Sequence, residues 1–320
     1  VSNPVLAEVV RSGFTESVHR GACVILRPDG SAHRTAGDVK VPISPRSSTK
    51  PLQALGMLRA GLEAGAADLA FACASHNGEP GHVRRALDLL ERHGLDESAL
   101  RCPPALPLHE PSRAGVTPRR AAMNCSGKHA AMLATCVRRG WPTESYTDPG
   151  HPLQRLIADT VAELTGEPVA HTGVDGCGAP LFAYSLAGLA HAFGTLVQAT
   201  GGPERRIADA MRAHPWLVAG TGRADTLLML AVDGLLAKVG AEGVQAIALP
   251  DGTAIAFKID DGAARARDPL AVAALRALGA LPENPAARSV LEGLGRGAGL
   301  VLGAGREVGE IRVPADLFAS

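Results

Sequence analysis

Strand-like sequence at both ends of the chain, around a long helical middle, is what most limits the folds open to it. Near the start, Gly21 to Arg27 is apolar and β-rich, Pro28-Asp29-Gly30 reads as a hairpin turn, and Ser31 to Ala36 returns as a strand. The signature recurs late in the chain, where Val244 to Leu249, the turn Pro250-Asp251-Gly252 and Thr253 to Ile259 make a second expected hairpin. Gly299 to Leu302 and Val308 to Val313 are expected to close the chain as strands. Hairpins favour antiparallel pairing, so the two termini are expected to build one antiparallel sheet.

The middle has helical periodicity. Leu52, Leu55, Leu58 and Leu62 follow Pro51 at spacings of three and four, and Val83, Leu87 and Leu90 share a face between Gly81 and His93. Further helices are expected at Ser126 to Arg138, Pro152 to Leu164, Ala179 to Val197, Glu204 to Ala213, Asp225 to Val239 and Pro269 to Leu278. Arg101 to Arg119 carries five prolines and reads as a surface loop. The expectation is a single α+β domain over residues 1–320. Its sheet lobe spans about residues 1–45 and 240–320, and a large helical lobe spans about 46–239.

Composition excludes several classes. The net charge is +0 and aromatics make up 3%, so neither a basic surface nor stacking residues favour nucleic acid. The longest apolar stretches, such as Ala179 to Val197, are broken by Gly, Ser and His and fall short of a membrane span. Val1 to Glu16 lacks the basic flank and apolar run of a secretion signal, so a cytoplasmic protein with six reduced cysteines is expected.

Positive charge is written mostly as arginine: only five of the 32 basic residues are lysines. Lysine, unlike arginine, can lose its proton when desolvated and then act as a base or ligand. Lys40 and Lys238 read as ordinary surface lysines, whereas the other three sit in unusual surroundings. Lys50 follows Ser47-Ser48-Thr49 and precedes Pro51, which suits a first helical turn. That spacing brings the Ser47 hydroxyl within reach of the Lys50 amine. Read blandly, the same four residues are a serine cap and a solvated lysine. Ser75, in Ser75-His76-Asn77-Gly78-Glu79, offers a second hydroxyl. Cys125 and Lys128 flank a Ser-Gly turn in Asn124-Cys125-Ser126-Gly127-Lys128-His129, and Asp175 and Cys177 share the loop Gly173 to Gly178. Two thiols with an amine or carboxylate could hold a soft ion, or could be buried structural cysteines. Lys258 lies in the strand Ile255 to Ile259, and its amine loses protons readily only if that face is covered.

Together these islands resemble the Rhizobium-type (class 3) asparaginases, in the same order and from about Glu8 to Val313. The stretch His214-Pro215 through Gly222-Arg223-Ala224-Asp225-Thr226 belongs to the likeness, and the hexapeptide Asn124 to His129 is its most specific part. The resemblance implies the fold of serine β-lactamases and penicillin-binding enzymes, and hydrolysis of L-asparagine to aspartate and ammonia. It implies one catalytic pair in Ser47 and Lys50, a second in Ser75 and Lys258, and zinc ligands in Cys125, Lys128 and Cys177. It further implies Asp175 beside metal and substrate, one zinc per chain and a homodimer. His129, Arg46 and Arg223 are candidates to grip the amino-acid substrate. Some members carry another cysteine shortly before the strand lysine, and this chain has none after Cys177. A glutaminase or other serine amidohydrolase on the same fold is the nearer alternative. A non-enzymatic protein that binds zinc or an amino acid is the more distant one.

Overall fold

The computed structural model describes residues 2–296 and 300–318. Strands β1 (Val5–Arg11), β2 (Phe14–Leu26), β3 (Ala32–Ala36) and β4 (Pro42–Ile43) lead into a 3-10 turn, Arg46–Thr49. Helices α1 (Lys50–Arg59), α2 (Ala66–Ala72), α3 (Pro80–Glu91), α4 (Ser126–Arg139) and α5 (Pro152–Thr165) follow. Next come β5 (His171–Val174), β6 (Pro180–Ser185), α6 (Leu186–Gln198), α7 (Gly202–Ala213), α8 (Pro215–Val218) and α9 (Ala224–Ala231). The chain finishes with β7 (Leu236–Gly240), β8 (Val244–Ala248), β9 (Ala254–Ile259), α10 (Arg267–Ala277), α11 (Pro285–Gly295), β10 (Val301–Gly303) and β11 (Arg306–Arg312). The chain is a mixed α+β fold with an antiparallel sheet, as expected.

Two compact units emerge. One contains Val1–Ser48, Ser185–Val197 and Leu227–Ser320; the other contains Thr49–Tyr184 and Gln198–Thr226. The first is built on a sheet of order β10-β11-β1-β2-β9-β8-β7, antiparallel throughout, with β3 also paired to β2. Strand β2 changes partners midway. Up to Arg20 it faces β1 and alternates between exposed and hidden residues; from Gly21 it lies between β9 and β3 and is buried throughout. Gly21 marks the changeover because a Cβ there would stand 2.1 Å from the Lys258 carbonyl oxygen. Helix α10 packs on β8 and α11 packs on α10.

The second unit is helical. Helix α1 is its axle: Lys50 to Leu58 are all buried, and α5, α7, α4 and α2 pack around it. A helix hidden on every side needs apolar or small residues all round, and Gly56 lets α5 approach until a Cβ would touch Ile157 at 3.0 Å. Helix α4 likewise closes on the end of α2 at Gly127, where a Cβ would meet the Phe71 carbonyl oxygen at 2.4 Å.

Three expectations shift. The helix expected over Ala179 to Val197 begins only at Leu186, because Phe182 and Tyr184 alternate inward on β6 and that strand pairs with β5. The helix expected over Asp225 to Val239 ends at Ala231, and Gly234, at φ 74°, turns the chain into β7. Residues 185–197 and 227–239, expected in the helical lobe, fall with the sheet. Of the strand expected at Gly299 to Leu302, Gly299 lies outside the described residues, and β10 starts at Val301.

Candidate active site

Lys50 opens α1 and is 1% exposed. Its amine donates to the Ala74 carbonyl at 2.6 Å, the Ser75 hydroxyl at 2.8 Å and the Cys125 sulfur at 3.1 Å. An ammonium has three protons, so these bonds use all of them. The expected direct pairing of Lys50 with Ser47 is therefore corrected: the hydroxyl on the amine is that of Ser75. The expectation counted residues along one helix face, but Lys50 directs its four-carbon stem away from its own turn, toward the end of α2. Ser75 is 3% exposed, whereas Ser47 is half-buried. Arg46, just before Ser47, has φ 54°, a left-handed backbone that costs a non-glycine residue about 1–2 kcal/mol. Strain of that kind concentrates at functional sites.

The hexapeptide places the next groups. Cys125 caps α4, and Lys128 follows on the same face one turn along. Lys128 donates to the Cys177 sulfur at 3.2 Å, and the Cys125 thiol donates to Asn124 Oδ1 at 3.4 Å. Interaction with Cys125, followed by attraction to Lys128, holds the Cys177 thiol below its ordinary value despite burial. The same interaction and burial push Cys125 up. Burial depresses Lys128, but the two sulfurs and Asp175 outweigh it, and its ammonium is held above the ordinary lysine value. Asp175 accepts from the Gly176 N–H at 2.8 Å and stands 3.7 Å from the Cys177 sulfur.

Among the described residues no three His, Cys, Asp or Glu side chains gather to hold a metal. A site here must therefore use Lys128. Two convergent sulfurs and a primary amine do fit zinc once Lys128 gives up its proton, a step that metal binding itself can drive.

His129 is corrected as a substrate grip, for it is fully buried. The Tyr146 hydroxyl accepts from the Arg101 N–H at 2.9 Å and so gives its own proton to His129 Nδ1 at 2.6 Å. The imidazole proton then falls on Nε2, which has no hydrogen-bond partner among the described residues. Burial lowers the His129 pKa, so the ring is neutral. Its hydrogen bond is to Tyr146 in the interior, not to anything a substrate would touch. Arg223 reaches Asn77 Oδ1 at 3.0 Å. Glu79, which sequence reading did not single out, accepts from the Thr221 N–H and hydroxyl at 2.8 Å each and from Asn77 at 3.2 Å. Burial raises the Glu79 carboxyl, the Thr221 and Asn77 bonds lower it, and the net is below the ordinary value.

In the sheet unit, Lys258 is half-buried, and its amine donates to the Ile259 carbonyl. Burial lowers its pKa, while Asp260, Glu242 and Asp261 oppose the shift. Arg46 lies 3.9 Å from Glu242. Lys238 requires a correction: it is no surface lysine but 0% exposed on β7, with its amine donating to the Val239 carbonyl at 3.0 Å. The signal was present in its apolar neighbours, Leu235 to Val239, but a helical reading of that stretch hid it.

These features describe a mixed α+β protein of the hydrolase kind, with a buried lysine on a serine hydroxyl. The chain belongs to the L-asparaginase II family, whose model matches residues 7–313. No curated protein matches it. Among solved structures, it is similar to a beta-lactamase from Mycobacterium bovis at 17% identity, covering 86% of this chain and 94% of that one, with a TM-score of 0.41. Mglu in its native form is 16% identical with a TM-score of 0.43, and the match covers 78% of this chain and 62% of that one. EstCE1, a hydrolase with promiscuous acyltransferase activity, is 13% identical over 75% of this chain and 88% of its own, with a TM-score of 0.41. Among the described residues no helix is long and apolar enough to cross a membrane.

Proposed function

We propose that this protein hydrolyses the side-chain amide of L-asparagine to L-aspartate and ammonia, and that Lys50 and Ser75 move the proton. The observation that carries this reading is the buried 2.8 Å bond between the Lys50 amine and the Ser75 hydroxyl. A lysine and serine hidden together, next to a strained turn bearing a second serine, have no structural need of each other. In the proposed reaction Ser47 attacks, since it is half-buried and reachable while Ser75 is covered. Its oxygen bonds to the carboxamide carbon, and its proton passes by way of Ser75 to Lys50, a step that requires the amine in its free-base form, with two N–H bonds on Ala74 and Cys125 and its lone pair turned to Ser75. The C–N bond then breaks, the nitrogen takes a proton and leaves as ammonia, and water releases aspartate from the serine ester. Family resemblance assigns the proton for the departing nitrogen to Lys258, a half-buried lysine whose pKa burial lowers.

Cys125, Cys177 and Lys128 would hold the zinc that family resemblance implies. When bound, zinc supplies a fixed positive charge for the amino-acid end of the substrate. Asp175 and Arg223 are the candidates to hold that end. Resemblance also suggests a homodimer. A second reading, in which Ser75 itself attacks, is favoured by its contact with Lys50.

The test is ammonia release from asparagine and glutamine by Ser47→Ala and Ser75→Ala, with mass analysis of any trapped serine ester. An ester on Ser47 supports the first reading and one on Ser75 the second. Unchanged turnover in both variants would refute serine chemistry. Glutamine outrunning asparagine would move the protein to the glutaminase alternative.

A further inference from the structure

We propose that His76 is a positioning residue: its imidazole clamps the Ser75 segment to the Cys125 segment and so fixes two of the acceptors around the Lys50 amine. The inference rests on the reading above, in which Lys50 and Ser75 move the proton.

The clamp has two jaws. The His76 backbone N–H donates to the Asn124 carbonyl at 3.0 Å. On the side chain, Nδ1 accepts from the Gly78 N–H at 3.0 Å, so a neutral ring carries its proton on Nε2. Nε2 therefore donates to the Ser126 hydroxyl at 2.9 Å, and Ser126 passes its own proton to the Ala121 carbonyl at 2.8 Å. His76 thus grips the residue before Cys125 and the residue after it, while Ser75, its own neighbour, is bonded through its N–H to Val218 at 2.9 Å. Ser75 and Cys125 are the two side chains that accept from Lys50.

The ring can take only one orientation. It is fully buried and stacks on Phe71 at 5.0 Å and on His82 at 4.9 Å, with interplanar angles of 20° and 11°. His82 in turn stacks on Trp216 at 4.0 Å. With the ring buried against Phe71 and His82 and both nitrogens bonded, a turn of the ring would cost two buried hydrogen bonds. Burial also holds the imidazole well below its ordinary pKa, and only the neutral ring can accept from Gly78.

The test compares kcat and KM for three variants in the full-length protein. His76→Asn keeps an acceptor near Nδ1 but loses the donor to Ser126; His76→Gln keeps an amide donor near Nε2; Ser126→Ala removes the acceptor. His76→Asn and Ser126→Ala are each expected to lower kcat about 10²-fold with KM little changed, the scale of an ångström of misplacement. His76→Gln should recover most of the loss, and the double variant should be no worse than either single one, because both break the same link. Wild-type kcat in folded Ser126→Ala, or losses that multiply in the double variant, would overturn the clamp. Should His76→Asn fail to fold, Ser126→Ala decides alone. A small fluorophosphonate that labels serine gives a readout independent of substrate. Wild type that labels but releases no ammonia refutes the function, and slower labelling in Ser126→Ala would still uphold the clamp.

Discussion

Gly127→Ala should damage the active site through a single methyl group. The added Cβ would lie 2.4 Å from the Phe71 carbonyl oxygen and 2.8 Å from its ring, where ordinary contact begins at 3.4 Å. Neither partner is a flexible chain end, so α4 must retreat from α2 by about 1 Å. Overpacking of this kind costs about 1–3 kcal/mol. Replacing glycine inside a helix returns roughly 0.5–1 kcal/mol, so the net loss is at most about 2.5 kcal/mol. Catalysis should suffer more, because the retreat carries Cys125 and Lys128 with it, and an ångström of misplacement can cost about 10²-fold in rate. Urea denaturation and ammonia release measure the two effects. Gly293→Ala is the control: its Cβ meets nothing within 4 Å on α11, so it should be neutral or slightly stabilising. If Gly127→Ala matches Gly293→Ala in stability and activity, the close approach does not position the site.

Buried neutral histidines make stability depend on pH. Burial lowers both His76 and His82 below the ordinary 6.5. Their contribution is complete above about pH 6.5 and shrinks as pH falls, because the unfolded chain takes up protons that the fold refuses. The slope is up to about 1.4 kcal/mol per pH unit for each ring, and a urea midpoint unchanged between pH 7.5 and 5.5 would contradict it. Elemental analysis should find about one zinc per chain, lost in Cys177→Ala and in Lys128→Met; full zinc in both variants would refute the ligand set. Lys258→Met should cut turnover about 10²–10⁴-fold, the scale of general acid catalysis, and Lys238→Met should cut it far less. The reverse order, read from ammonia release, would take the role from Lys258.

Much of the fold was legible because short-range signals agreed with it. The turns Pro28-Asp29-Gly30 and Pro250-Asp251-Gly252 and the periodic leucines after Pro51 fix local geometry without help from distant residues. The hexapeptide was legible as a site, and Gly127 shows why its glycine stands there. Three things were not. The pairing of Lys50 with Ser75 depends on a stem that leaves its own helix, which counting along a face does not register. The burial of Lys238 depends on a strand whose residues, Leu236 to Gly240, carry no polar alternation. His76 owes its part to Ser126, fifty positions away, and no spacing rule connects the two.

The joining of β1 to β11, register-matched from Glu8↔Arg312 to Arg11↔Gly309, has a consequence for synthesis. The opening strands emerge from the ribosome long before their partners do. β1, β2 and β3 can pair among themselves, but until β9 and β11 arrive, more than two hundred residues later, the remaining edges of β1 and β2 stay open to any other strand. Slower translation and lower temperature should therefore raise the soluble yield, because an orphaned edge finds a neighbouring nascent chain less often.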